Sequence, residues 1–133
     1  MKALLINVVN QTITEVQIEH TKEIYNLIGN GCHTFCAPVD FPNGDTLFTD
    51  DEALFAENIE GCFSMEGWAY PIVGNAVILG CDEEGDTCDC KSRPEDILEK
   101  LIWGNKEAAE MHRDSALNSL PVVVPINWTD NNE

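Results

Sequence analysis

The chain has 133 residues, the length of a single domain, and 44% of them are apolar, enough for one hydrophobic core. Seven Lys and Arg against 24 Asp and Glu give a net charge of −17. Such a field repels phosphate and excludes direct nucleic-acid binding by the acidic surface, and no apolar run approaches the ~18 residues of a membrane span.

The opening Met1–Asn7 lacks a small-residue cleavage site and reads as a first strand, not a signal peptide. A cytoplasmic protein is expected. Between Lys22 and Lys91 the sequence holds no Lys or Arg, while acids recur from Glu23 to Asp89. This stretch suits either a basic protein partner or a solvated surface that keeps the chain soluble.

In chain order, Leu4–Val9 and Thr12–Ile18 predict an N-terminal hairpin, the second run alternating at Ile13, Val16 and Ile18. Thr21 is placed to cap a short helix with a stripe at Ile24, Tyr25, Leu27 and Ile28, ended by Gly29. Cys32–Phe41 reads as extended, Asn43-Gly44 as a turn, and Asp45–Thr49 as the returning strand. Asp50–Asn58 is one helical turn or a packed loop. Ala76–Leu79 predicts a buried central strand, Cys81–Asp86 a turn, and Thr87–Cys90 a segment that pairs back.

Ser92-Arg93-Pro94-Glu95 fits a capping box for a helix through Ile97, Leu98, Leu101 and Ile102, ended by Gly104. Asn105 caps a further helix through Ala108, Ala109, Met111 and Ala116 to about Leu117. The tail Pro121–Ile126 is apolar and extended, suited to an edge strand or a second copy. The sum is one α+β domain over residues 1–133. A mainly antiparallel sheet occupies 1–90, a helical region 91–120 and an extended tail 121–133, with two or three helices packed on one face of the sheet. Its expected core is Leu5, Ile24, Leu27, Ile28, Val77, Leu79, Leu98, Leu101 and Ile102.

Cys32 and Cys36 with Cys88 and Cys90 invite a zinc reading. However, a C-x-C spacing on a strand puts both side chains on one face, unlike the usual paired ligands. Small buried apolar residues explain the cysteines better, and no metal or cofactor is expected. Asp82, Glu84 and Asp86 have the spacing of early calcium-loop ligands, but Gly85 is out of register and Arg93 stands where the bidentate Glu belongs. No cysteine or serine has a histidine base in view, since His33 and Cys32 are strand neighbours on opposite faces. No G-x-S-x-G, P-loop or dinucleotide fingerprint occurs. A non-enzyme is therefore expected. The segment Phe63–Pro71 is irregular and aromatic, with Trp68 and Tyr70 as candidate anchors. The competing reading is that Phe63 and Trp68 fill the core.

The runs Lys2–Asn7, Ile24–Gly29, Asn43–Glu52 and Gly74–Gly80, followed by Glu84-Gly85-Asp86, resemble the DUF3846 type of small protein, found in bacteriophages and mobile elements. The resemblance covers residues 1 to about 90. Its motifs are turns and strand cores and transfer no catalytic residue. The cysteine-rich insertions and the chain after Leu101 depart from the pattern. A phage accessory protein acting in the bacterial cytoplasm is what the resemblance implies, and such proteins often antagonise host defence.

Two mechanisms follow. In the first, carboxylates at Asp50, Asp51, Glu52, Asp82, Glu83, Glu84 and Asp86 mimic the phosphates of a nucleic acid and engage a basic host protein. In the second, an oligomer sequesters a small signalling nucleotide, with Lys91 and Arg93 at a helix N-terminus on the phosphate and Trp68, Tyr70 and Trp103 stacking the base. The charge favours the first, and an enzyme of unknown type comes third.

Overall fold

The computed structural model describes residues 1–56 and 58–118. The predicted tail 121–133 lies outside the described residues. The elements are β1 (Lys2–Asn7), β2 (Thr12–Gln17), α1 (Glu23–Ile28), β3 (Phe35–Asp40), β4 (Asp45–Asp50), a 3₁₀ turn (Ala53–Phe55), β5 (Cys62–Met65), β6 (Ile72–Val73), β7 (Ala76–Cys81), β8 (Thr87–Cys88), α2 (Pro94–Leu98), β9 (Leu101–Gly104) and α3 (Lys106–Asn118). The fold is α+β, built on antiparallel sheets, as the alternation and turn signals predict.

There are two sheets rather than one. The larger has six strands in the order β2-β1-β7-β4-β3, with β8 paired to β7, and the smaller is β6-β5-β9. Strand β7 is buried on both faces from Ala76 to Gly80, so both sides of the large sheet must be covered. Ile24 and Ile28 of α1 cover one side, packing with Ala3, Val77 and Leu79. The small sheet covers the other, where Phe63, Met65 and Leu101 meet Leu4, Ile6, Leu47 and Ile78, and α2 adds Ile97. Helix α3 lies on the far face of the small sheet, its Ala109 against Cys62 and Val73. The helices, expected on one face, are thus divided between two outer layers and the margin of the inter-sheet core.

The predicted helix through Ile102 stops at Leu98. The residues Leu101–Gly104 pair instead with β5 as a strand, Phe63 opposite Trp103 and Met65 opposite Leu101. Apolar residues at 97, 98, 101 and 102 satisfy a helical stripe, but the alternation Leu101-in, Ile102-out, Trp103-in satisfies a strand. Pairing with β5 decides between them. Consequently Leu98 (52% exposed) and Ile102 (73%) are not core residues, while Leu101 is buried.

Local signals hold elsewhere with shifts. Pro42-Asn43-Gly44 form a three-residue hairpin loop in which Gly44 takes the left-handed φ of 95°. The Thr21 side chain caps nothing; Glu23 instead accepts the backbone N–H groups of Glu19 (2.6 Å) and His20 (2.8 Å). Gly29 does end α1, its N–H reaching Tyr25 O at 2.9 Å. Asn105 caps α3 as expected, accepting the N–H of Ala108 at 2.8 Å.

Candidate functional site

Alternate residues of β4 face the inter-sheet core, and these are Asp45, Leu47 and Thr49, all buried. Asp45 is fully enclosed at one end of the strand. It accepts hydrogen bonds from the backbone N–H of Lys91 (2.9 Å), the N–H and hydroxyl of Ser92 (2.8 and 2.6 Å) and the amide of Asn43 (3.4 Å). This buried carboxylate joins the hairpin loop to the start of α2 and is structural. Because Ser92 is spent on Asp45, Arg93 becomes the N-cap residue of α2, and Asp96, not Glu95, reaches back to the Arg93 N–H at 3.1 Å.

At the other end of β4, Thr49 Oγ1 is buried and has no hydrogen-bond partner among the described residues. Beyond it the chain turns outward. Asp50 accepts the N–H of Glu52 at 2.9 Å, Asp51 donates its N–H to Thr34 O at 3.1 Å, and the 3₁₀ turn follows. A cleft of ≈ 190 Å³ opens here, lined by Thr49, Asp50, Asp51, Phe55, Trp68 and His112. Leu54, Ile72 and Val73 supply its apolar wall. A second, larger depression of ≈ 560 Å³ shares Asp50 and Phe55 and adds Glu52, His33 and Asn30. Among the described residues, neither lining contains Lys or Arg. Phe55 is 71% exposed, Trp68 38% and Tyr70 64%, and the last two rings meet edge-on at 6.5 Å. Exposed aromatics thus stand beside carboxylates that form no ion pair among the described residues.

The thiols around this end are poor nucleophiles. Burial, reinforced by the charge of Asp50, pushes Cys32 up to about 11. Burial and the neighbouring Asp51 raise Cys36 in the same way. Both are neutral thiols at neutral pH. Cys36 lies opposite Thr49, whereas Cys88 lies opposite Gly80, which pairs with Asp45. The two cysteine pairs thus sit at opposite ends of β4 and do not converge. Among the described residues no group of three His, Cys, Asp or Glu side chains is placed to hold a metal ion.

The expected partner-binding acids divide the same way. Asp50, Asp51 and Glu52 line the two depressions. The loop Asp82–Asp86 lies past the other end of β7, where Asp82 accepts the N–H groups of Glu84 and Asp86 at 2.9 Å. Thr49 pairs with Ala76, six positions before Asp82, so the two acidic groups are roughly 20 Å apart at the rise of a strand. That exceeds the ~8–10 Å screening length at ordinary ionic strength, so they act separately.

The residues expected to hold a nucleotide are not assembled into one site. Trp68 and Tyr70 stand at the Thr49 end of β4. Trp103 is half-buried against Phe63, at 6.5 Å between ring centres. Lys91 and Arg93 follow the Asp45 end, and neither lines the cleft beside Trp68. Helix α2 has only five residues. Arg93 is held by Asp96 at 3.2 Å and Glu95 at 3.9 Å, and the Asp96 hydrogen bond raises its pKa further. Its charge is engaged within its own helix.

Sequence reasoning missed Thr49, Phe55 and His112. His112 looks solvated in an α3 read by itself, yet it faces the cleft; a polar residue at an inward strand position was the one available clue to Thr49. Trp68, offered either as anchor or as core filler, is exposed, whereas Phe63 is fully buried. No helix of the described residues is long and apolar enough to cross a membrane. Comparison of the chain with protein families, with curated proteins and with solved structures finds no match.

Proposed function

We propose that this protein is a non-catalytic acidic binder that engages a basic host protein, its carboxylates taking the places of nucleic-acid phosphates. The edge Asp50-Asp51-Glu52, with Phe55 and Trp68 beside it, is the contact surface. The reading rests on one observation: carboxylates and exposed aromatics converge at the end of β4 around depressions that contain no Lys or Arg. Aromatic anchors supply affinity, and unpaired surface charge supplies rate and selectivity. The loop Asp82–Asp86 adds to the long-range field but not to the contact. Origin in a phage and action in the cytoplasm of the infected bacterium complete the proposal; the DUF3846 resemblance supports them.

The nucleotide alternative is less well supported, because the cations and the aromatic rings it needs occupy different ends of the sheet. The test uses the full chain, immobilised and exposed to the heparin-retained proteins of a bacterial lysate. A bound protein that duplex DNA displaces, and that an Asp50→Lys, Asp51→Lys, Glu52→Lys variant fails to hold, is the expected result. Binding indifferent to both duplex DNA and these substitutions refutes the proposal.

A further inference from the structure

The cleft at the end of β4 has a composition that an acidic surface alone does not require. Apolar Leu54, Ile72 and Val73, the aromatics Trp68 and Phe55, and the carboxylates of Asp50 and Asp51 all line it. Thr49, 6% exposed, is one of its lining residues, and its hydroxyl oxygen is buried and bonded by no described residue. An unpartnered buried hydroxyl is unfavourable in the isolated protein, which points to a partner that arrives from outside. A donor in the cleft meets this buried oxygen only after rotation about Thr49 χ1. At ≈ 190 Å³, the space is below the ~300–1,000 Å³ of sites that enclose drug-sized ligands. It suits a single side chain and is too small to enclose a nucleotide.

We infer that this cleft receives one arginine side chain of the protein partner. The apolar wall takes the aliphatic stem, the Trp68 ring stacks on the guanidinium, Asp50 and Asp51 oppose its charge, and Thr49 Oγ1 accepts one N–H. Arginine is preferred to lysine because a flat, weakly hydrated guanidinium stacks on an aromatic face while its in-plane N–H groups stay free to donate, whereas an ammonium is a compact, strongly hydrated point charge. Charge complementarity is local, since among the described residues no Lys or Arg lines the cleft. This inference rests on the basic-surface reading above and specifies the chemistry of its central contact.

The test is an NMR titration of the full chain with Nα-acetyl-argininamide, its lysine counterpart and its citrulline counterpart, the last being nearly isosteric but neutral. Saturable shifts at Thr49, Asp51, Phe55 and Trp68 are expected for arginine. Thr49→Val and Trp68→Ala should each weaken binding by about tenfold, the usual size of one lost hydrogen bond to a charged group or one lost cation–π contact. Citrulline should produce no saturable shift. Equal response to citrulline, equal affinity for lysine, or shifts centred on Asp82–Asp86 would each overturn the inference. The two proposals fail separately. If argininamide does not saturate the cleft while heparin-retained proteins still bind through Asp50–Glu52, the arginine receptor falls and the acidic-surface reading stands. If argininamide binds as described and the protein competition fails, the reverse holds.

Discussion

Asp45 and Thr49 face the same interior from the same strand, with Leu47 between them, yet Asp45 is bonded by Asn43, Lys91 and Ser92 and Thr49 by no described residue. The two ends of β4 therefore have opposite characters. One is a closed structural joint. The other buries a hydroxyl without a described partner, beside acids and aromatics.

This difference predicts opposite outcomes for two substitutions. Asp45→Ala leaves the donors of Lys91 and Ser92 facing an empty site, and should destabilise by about 3–5 kcal/mol. Thr49→Val removes an unpartnered hydroxyl at nearly constant shape, and should stabilise by about 1 kcal/mol. Urea denaturation measures both. A destabilised Thr49→Val variant would show that the hydroxyl is satisfied in solution.

A second prediction concerns the segment that changed from helix to strand. Leu101 is 8% exposed and Ile102 is 73%. Leu101→Ala should cost about 2–5 kcal/mol, as core truncations do. Ile102→Ala should stay within about 0.5 kcal/mol, the surface range. Similar losses at both positions would contradict the strand and restore a buried helical stripe.

A third prediction is alkaline. Burial raises both Cys32 and Cys90 from 9.0 to about 11, so folding favours their neutral forms. The resulting stability is complete below the unfolded-state pKa and is lost as pH rises towards 11. Tm should hold steady up to about pH 8.5, where free thiols begin to ionise, and then decline. The double variant Cys32→Ala, Cys90→Ala should lessen the alkaline decline. In the folded protein both thiols should alkylate more slowly at pH 8 than in urea. Equal rates would mean that these thiols are not shielded.

Much of the large sheet was legible in the sequence. The alternation in Thr12–Ile18, the Asn43-Gly44 turn and the apolar Ala76–Leu79 each state a strand or its boundary locally. Strand β9 was not legible, because Leu101 and Ile102 suit either period until β5 is placed beside them. The small sheet as a whole shares this difficulty, since β6 has only two residues. For the candidate site, the acids at 50–52 and Trp68 were legible as residue types, but not their meeting. Thr49, Phe55, Trp68 and His112 come from different parts of the chain, and only the packing of the two sheets and α3 brings them together. Asp45 shows the converse. Its charge resembles that of its neighbours in sequence, and only burial removes it from the binding surface.

Association kinetics decide whether the edge Asp50-Asp51-Glu52 docks on a basic protein. The full chain is measured against its heparin-retained partner between about 50 and 200 mM salt, where exposed charge pairs become progressively screened. The association rate should fall steeply with salt. Charge reversal at Asp50, Asp51 and Glu52 should slow it most, and reversal at Asp82, Glu83 and Glu84 much less, because those acids lie far from the contact. An association rate independent of salt, or unchanged when Asp50, Asp51 and Glu52 are all replaced by Lys, would rule out docking through this edge.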